Sequence, residues 1–474
     1  MSSPAQGVVR RSPRRGISLR QAEGIESRRW LRAAELAAVQ LFSVVFLLAT
    51  YQGGDVHGML VCFSFQTLAI VFVTSRHAGL LHPLIFFPLF LYPYSTWFTY
   101  YSLAQNSIDR TLLAESLWFA GLGLAVYAGV VTLILGVPGR QLAKNAEGSS
   151  GRSPTQRMAY VLARWGSLLA ASAFCLLLGS GSGSKQAVLS HGGVLFALAT
   201  FSAWVAVAST LIVFACSKKA GKGSLNVMPY AVGMGLLAML TVGERDHLFR
   251  LVVGMVLIGS ADWRRTSLTF CAGVLGGAPA LIYLSSFAKA YLIQGGRESA
   301  PDFLSMFFSN EFIASGRNLY AVLLHGTTFS WDFLRNDVIR GLTPFGNAFG
   351  LFSATGWFHT VYREDNNFAG SAGWGLGYTT EGYICGGAVG IAVIYACVGA
   401  LVAFGYRCQS QSPYWLAFYA LLCTSAVYCM RADLASLLSM TFKIGGTAIL
   451  VPYIVSRFDS PGNRSAVRAG ELLS

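Results

Sequence analysis

Long apolar runs separated by polar connections fill the chain from residue 31 to residue 455. About twelve of these runs have roughly the 17–25 residues that a helix needs to cross a bilayer. They cover residues 31–50, 58–74, 81–103, 116–137, 160–178, 194–216, 226–242, 248–263, 268–292, 378–404, 414–430 and 434–455. Only helices and closed barrels satisfy every backbone polar group in lipid, and runs of this length exclude a barrel. The pattern therefore predicts an all-α fold, a polytopic transmembrane helical bundle of about 12 spans.

Lysine and arginine concentrate in alternate connections, and this asymmetry predicts the orientation of the bundle. Cations occur in residues 1–30, 139–157, 217–224, 261–267, 406–412 and 456–470. The turns at residues 51–57 and 179–193, on the other side, hold almost none. Because cytoplasmic loops carry the excess of positive charge, we expect a multi-pass protein with both termini in the cytoplasm.

One connection is far longer than the rest and lies on the predicted outer side. Residues 293–377 are too many for a structureless loop, and their Trp, Phe and Leu content indicates short helices. Their stretch 300–326 has helical spacing and is expected at the membrane surface. The chain then divides into a disordered basic cytoplasmic tail (1–30), nine spans (31–292), a large periplasmic loop (293–377), three spans (378–456) and a second cytoplasmic tail (457–474).

The composition agrees with a membrane protein and argues against other classes. Of the 474 residues, 54% are hydrophobic and only 12% are charged, with a formal net charge of +14. The excess of cations on the cytoplasmic side accounts for that charge, so no nucleic-acid partner is predicted. The nine cysteines lie mostly inside the apolar runs and show no CxxC spacing, so no metal site and no disulfide framework is predicted.

Ionisable residues gather on the predicted outer face, where the positive-inside preference disfavours cations. Arg245 lies in the stretch TVGERDHLFR between two spans, Arg431 lies in MRADLAS, and Glu381 lies at the outer mouth of a glycine-rich span. Charged groups near membrane depth are costly and tend to be functional. Structural explanations stay open: a hydrated turn for the first stretch, an exposed ion pair with Asp433 for the second, and close helix packing for the glycines.

Arginines and carboxylates beside a lipid surface suit one kind of substrate. The planar fork of arginine bonds two phosphate oxygens at once, which favours a diphosphate. A carboxylate can remove a proton from a sugar hydroxyl. A lipid-linked glycan, with its diphosphate at the membrane surface and its tail in lipid, meets both requirements.

Three stretches of the C-terminal half resemble, in order, the Wzy-type O-antigen polymerases, which join oligosaccharide repeat units. TVGERDHLF is similar to their Gly-x-Arg element after a central helix, and GYTTEGYICGGAVGIAVIYACVGAL to their late, Glu-containing, Gly-rich helix. MRADLASLLSMTFKIGGTAILVPYIV is similar to their Arg-bearing penultimate turn and last helix. The first half of the chain resembles these polymerases only in having hydrophobic spans. The resemblance implies the class C-like architecture of membrane glycosyltransferases in the bacterial inner membrane.

The activity that the resemblance implies is the polymerisation of undecaprenyl-diphosphate-linked repeat units at the periplasmic face. Donor and acceptor would both be lipid-linked oligosaccharides in the lipid bilayer, and a chain-length regulator protein would be an expected partner. No cofactor and no metal ion are implied. The product would be a surface polysaccharide, which could be O-antigen, capsule or exopolysaccharide.

The resemblance also implies roles for individual residues. The donor diphosphate would be bound by Arg245 and Arg431, with Arg317 or Arg340 from the large loop. The general base on the acceptor hydroxyl would be Glu381 or, alternatively, Glu311, in a displacement that inverts the anomeric centre.

Two other functions stay open from the sequence. An O-antigen ligase shares the lipid donor, the compartment and the architecture, and its large loop is also rich in arginine. A transporter or flippase for lipid-linked sugars would instead place polar residues at mid-bilayer and show paired broken helices. Here the ionisable residues gather at one face and only Lys443 lies deep in a late run, which favours chemistry at the membrane surface.

Overall fold

A computed structural model of the chain describes residues 19–105, 109–136, 154–179, 193–220, 225–242, 244–262, 267, 269, 273, 311–343, 350–362 and 375–458. Every secondary-structure element in these residues is a helix, as the hydrophobic pattern predicts. The predicted ninth span lies almost wholly outside the described residues, as does most of each predicted tail.

In the described residues up to position 259, the structure has eight α-helices. They are α1 (Leu19–Gly53), α2 (Val56–Ser75), α3 (Pro83–Gln105), α4 (Arg110–Leu135), α5 (Pro154–Gly179), α6 (Gly193–Ala220), α7 (Met228–Val242) and α8 (Asp246–Gly259). Because α1 begins at Leu19, residues 19–30 are helical, and the predicted disorder of the N-terminal tail is wrong for them. The segment is rich in Arg and Glu, which are good helix formers, and it extends a helix that the membrane run already nucleates.

Three short helices in the large connection and four helices in the C-terminal part follow. They are α9 (Glu311–His325), α10 (Trp331–Leu342), α11 (Ala354–Val361), α12 (Tyr378–Cys408), α13 (Pro413–Tyr428), α14 (Leu434–Leu438) and α15 (Thr447–Phe458). A π-helical segment, Ser439–Gly446, joins α14 to α15.

Among the described residues, six segments are long and apolar enough to cross a bilayer, and they make the chain a helical membrane protein. They are Ala34–Gln52, Val56–Ser75, Arg110–Leu135, Gln156–Leu177, Gly193–Lys218 and Tyr378–Cys408. Outward-facing apolar side chains such as Leu133 and Val194 are 84% and 88% exposed, which suits contact with lipid. The predicted runs that correspond to α3, α7, α8 and α13 are also helical, but these helices are not among the six candidate membrane spans.

Glycine and aromatic residues bring α3, α4 and α12 together at the centre of the bundle. A Cβ atom on Gly123 of α4 would lie 2.5 Å from the ring of Tyr395 in α12, so only glycine permits this approach. The ring of Tyr127 in α4 stacks on Phe87 of α3, with centroids 4.0 Å apart, and both side chains are fully buried. This aromatic core fixes α12 against α3 and α4.

Helix α12 is broken near its start and folds back on itself. Gly387 has φ 60° and ψ −139°, a conformation that glycine adopts freely and other residues adopt only with strain. The Thr379 and Tyr395 hydroxyls share a hydrogen bond of 2.8 Å, although residues sixteen apart in a continuous helix are separated by about 24 Å. The element therefore consists of a half-helix, residues 378–385, packed against a long helix, residues 388–408.

The break corrects the prediction of one uninterrupted span over residues 378–404. The backbone N–H of Ser330 donates to the Ile384 carbonyl oxygen at 3.3 Å, beside the break. The ring of Trp331 covers Gly386 so closely that a Cβ atom there would lie 2.6 Å from it. The helices of the large connection thus pack directly on the half-helix.

Candidate functional site

Glu381, the predicted catalytic carboxylate, lies on the half-helix and is fully buried. Its Oε2 atom accepts a hydrogen bond of 2.8 Å from the backbone N–H of Leu434, which joins the half-helix to the start of α14. Gly377, the residue before the half-helix, donates its N–H to the Ala432 carbonyl oxygen at 2.7 Å. Glu381 lies in the first turn of this helix, near the end where the sequence predicts the outer mouth of the span, and it is enclosed by protein.

Asp337 of α10 is a carboxyl neighbour of Glu381, and the two side chains lie within hydrogen-bonding distance. Asp337 is fully buried, 3.3 Å from Nη1 of Arg340, and it accepts a bond of 3.4 Å from the Ala354 N–H. Burial first, and then the charge of Asp433, raise the pKa of Asp337 to about 7 against the opposing effect of Arg340. Arg340, which the sequence predicts to bind diphosphate, therefore contacts this site by its ion pair with Asp337.

Asp433 completes a carboxyl cluster, which we define as Glu381, Asp337 and Asp433. It caps α14 by accepting the Ser436 N–H at 2.8 Å, and its other oxygen accepts the Thr355 hydroxyl at 2.9 Å. Asp433 is thus a buried helix cap and not half of an exposed ion pair. Within the described part of the chain, no group of side chains has the arrangement that would hold a metal ion.

A buried ion pair lies in the stretch TVGERDHLFR. Asp246 and Arg250 of α8 are 6% and 0% exposed, and Nε of Arg250 lies 2.9 Å from the Asp246 carboxylate. Arg250 also donates to the Ser425 hydroxyl of α13 at 2.5 Å and to the Met440 sulfur at 2.7 Å. Its guanidinium lies 4.3 Å from the ring centroid of Trp204 in α6. One arginine therefore connects α6, α8, α13 and the π-helical segment, so this part of the stretch is no hydrated turn.

Two arginines lie over the ring of Tyr428, the last residue of α13. The guanidinium carbons of Arg250 and Arg431 are 4.8 Å and 4.7 Å from the ring centroid. The charge of Glu244 also acts on the Tyr428 hydroxyl. Arg245, which follows Glu244 and immediately precedes α8, is half-buried. The structure thus gathers the predicted residue Arg431 and the turn that carries Arg245 around one tyrosine.

The arginines and the carboxyl cluster are neighbours across Cys429. This fully buried thiol lies within electrostatic range of Arg250 and Asp246 on α8, and also of Asp433 and Glu381 in the carboxyl cluster. The two groups therefore form one polar region inside an otherwise apolar bundle.

Arg317 and Glu311 lie on α9, which packs against α3, α4 and α12. Burial lowers the pKa of the half-buried Arg317 to about 10, so its guanidinium stays charged at neutral pH. The neighbouring Asn318 donates to the Gly375 carbonyl oxygen at 2.9 Å, which ties α9 to the segment leading into the half-helix. Glu311 is the first residue of α9, and its side chain lies outside the described ones.

A small cleft adjoins the half-helix at Thr379. It is lined by Tyr94, Ser95, Ser116, Ala120, Ser315, Gly316, Leu319 and Thr379. Five of these residues carry hydroxyl groups and come from four helices, and the space between them is about the size of one water molecule.

Four charged residues of this polar region are missing from the predicted site residues, namely Asp246, Arg250, Asp337 and Asp433. Arg250 follows Asp246 by four residues inside an apolar run, and this spacing of an intrahelical ion pair is a signal that the sequence offers. Asp337 gives no such signal, because the exposed Asp332 on the same helix has a similar local sequence context. Only the fold of the large connection decides that Asp337 is buried and Asp332 is exposed.

Comparison with known proteins gives the chain no relative. No family model, no curated protein and no solved structure matches it.

Proposed function

We propose that the protein is a lipid-carrier-dependent glycosyltransferase that polymerises undecaprenyl-diphosphate-linked oligosaccharide repeat units at the periplasmic face of the bacterial inner membrane. The observation that carries the proposal is the enclosed carboxyl group of Glu381, held between the half-helix and the helices of the large connection. A carboxylate in that position costs stability and serves no packing need, whereas an acid–base reaction requires such a group. The ordered likeness of three stretches to Wzy-type polymerases supports the same reaction.

In the proposed reaction, Glu381 accepts the proton of the acceptor sugar hydroxyl. The hydroxyl oxygen forms a new bond to the anomeric carbon of the donor glycan while the bond from that carbon to the diphosphate oxygen breaks. Undecaprenyl diphosphate leaves with the electron pair, and the anomeric centre is inverted. General base catalysis of this kind contributes roughly 10²–10⁴-fold to a rate.

The leaving diphosphate needs cations, and the polar region supplies them. Arg431 lies over Tyr428 beside the turn that carries Arg245, while Arg340 and Arg317 lie on the helices that enclose the half-helix. Arginine forks bind two phosphate oxygens at once and stabilise the charge that develops as the bond breaks. The enclosing helices would also exclude water, which otherwise hydrolyses the donor.

A transporter for lipid-linked sugars is the second candidate, because the break in α12 favours it. Broken helices with a buried ionisable group are typical of substrate sites in secondary transporters. The described residues show one such break at a glycine pair, whereas transporter folds with inverted repeats pair two. An O-antigen ligase would share the site and differ only in its acceptor.

A deletion strain complemented with the wild-type gene or with Glu381→Gln tests the proposal. We expect the deletion to leave surface glycan with single repeat units, the wild type to restore the long-chain ladder, and Glu381→Gln to lower polymer by about 10²–10⁴-fold at normal protein level. Asp332→Asn, an exposed aspartate of α10, is the matched control and should restore the ladder.

Other outcomes of this experiment identify the rival functions. Polymer that accumulates on the lipid carrier in the deletion strain indicates a ligase. A complete loss of outward-facing units indicates a transporter. A full ladder in the deletion strain contradicts all three.

A further inference from the structure

The two innermost carboxyl groups of the carboxyl cluster, Glu381 and Asp337, are direct neighbours. Glu381 receives one hydrogen bond, from the Leu434 N–H to Oε2. Among the described residues, no N–H or hydroxyl donates to its buried Oε1 atom. Asp337 lies within hydrogen-bonding distance of Glu381. Two carboxyl oxygens approach so closely only when a proton lies between them, because two carboxylates repel each other.

The surroundings decide which of the two groups holds the proton. Asp337 has the Arg340 guanidinium at 3.3 Å and the Ala354 N–H at 3.4 Å, and both stabilise a negative charge. Glu381 faces the carboxyl groups of Asp337 and Asp433 and is fully buried, which favours its neutral form. The proton therefore belongs to Oε1 of Glu381, and the negative charge belongs to Asp337.

We propose that Asp337 is the proton partner of Glu381 and positions it, so that the pair, rather than Glu381 alone, forms the acid–base unit of the site. The use of the pair in catalysis rests on the proposed function, whereas the shared proton does not. Asp337 would touch no substrate atom and would act through Glu381.

The pair explains how a buried, protonated glutamic acid serves as a base. The proton first moves from Oε1 of Glu381 to the Asp337 carboxylate, which becomes neutral while Glu381 becomes the anion. Glu381 then accepts the proton of the acceptor hydroxyl. The pair now holds two protons, and the loss of one to water restores the starting state.

The elements packed on α10 bring further groups to this region. Arg340 lies on α10 itself, Asp433 caps α14, and Cys385 lies on the half-helix. Helix α11 contributes the Ala354 N–H to Asp337, and Lys443 of the π-helical segment donates a hydrogen bond to the carbonyl oxygen of Arg340. The Arg340 cation lies beside Asp337, which agrees with a negative charge there.

The pH dependence of thermal stability in detergent, without substrate, tests the shared proton. Burial raises the pKa of Asp337 to about 7, from about 4 in the unfolded chain. Between these values Asp337 in the folded protein binds a proton that it has lost in the unfolded chain, so this contribution to stability is lost as pH rises through the window. We expect the melting temperature of Asp337→Asn to fall by clearly less over the same window.

Two further variants serve as controls for the pH dependence of the melting temperature. The exposed Asp332→Asn should follow the wild type. Glu381→Gln should fold, since the amide can accept the Leu434 N–H and donate to Asp337 as the acid does, and it should also show a shallower pH profile because one protonation site is gone. An Asp337→Asn profile that matches the wild type would overturn the shared proton.

Infrared spectroscopy supplies a signature that packing alone does not produce. We expect the carbonyl stretch of a protonated carboxylic acid in the wild type at about pH 8, above the ordinary range for glutamic acid. The band should disappear in Glu381→Gln and shift in Asp337→Asn. A band that persists unchanged in both variants would overturn the proposal, while a failure of glycan polymerisation alone would leave it standing.

Discussion

At the scale of single residues, burial separates two arginines that lie close together in the sequence. The sequence singles out Arg245, which is half-buried at the end of a turn. The structure shows that Arg250 has the larger structural role, because its guanidinium is fully buried and bonds Asp246, Ser425 and Met440. A buried charge of this kind is tolerated only with such partners.

Removal of Arg250 should therefore destabilise the protein strongly. Arg250→Ala leaves the Asp246 carboxylate buried without its cation, and the loss of one partner of a buried pair costs about 3–5 kcal/mol. The control is Arg335→Ala, since Arg335 and Asp332 form an ion pair with side chains 67% and 66% exposed, and such pairs contribute about 0–1 kcal/mol. Thermal unfolding in detergent measures both; equal melting temperatures would contradict the role given to Arg250.

The sequence could predict only some members of the polar region. Glu381 stands out because a carboxylate beside a glycine-rich apolar run is costly and rare. Asp337 does not stand out, because charges are common in a large extramembrane connection and its burial arises from contacts between separate helices, among them those with Ala354, Glu381 and Asp433. Tertiary contacts, and not local sequence, therefore decide which loop charges belong to the site.

At the scale of elements, the break in α12 is the main departure from the sequence prediction. Hydropathy measures how well residues tolerate lipid and carries no information on the direction of the chain. An apolar run that folds back on itself is therefore predicted as one continuous span. The signal that was available is the glycine pair at residues 386–387, since Gly387 has a positive φ and Trp331 covers Gly386. Close helix packing is the explanation that the sequence leaves open for these glycines.

Cross-linking of two cysteines across the break tests the fold-back directly. In Thr379→Cys/Tyr395→Cys, a short thiol-specific cross-linker should join the two residues, because their native hydroxyls lie 2.8 Å apart. The control is Ser116→Cys/Thr132→Cys, which has the same spacing in the unbroken helix α4, where the two residues lie about 24 Å apart and should not react together. Mass spectrometry of the cross-linked peptides measures both. Equal yields, or a product only in the control, would contradict the break.

At the scale of the whole molecule, the sequence predicts the helical membrane fold well and the enclosed site poorly. Apolar runs of membrane length predict helices because every backbone group in lipid must be bonded within the helix, and no tertiary contact is needed for that inference. The packing of α10 and α11 on the half-helix depends on contacts between distant parts of the chain. The count of spans depends equally on tertiary structure, as the fold-back of α12 shows.

The central claim is that this bundle encloses a site where lipid-linked glycans are joined. The most direct test incubates the purified wild-type protein, in lipid nanodiscs, with undecaprenyl-diphosphate-linked repeat units and no other protein. The account predicts a ladder of products, each longer by one repeat unit, with release of undecaprenyl diphosphate. Units that stay single in the presence of folded protein would contradict it.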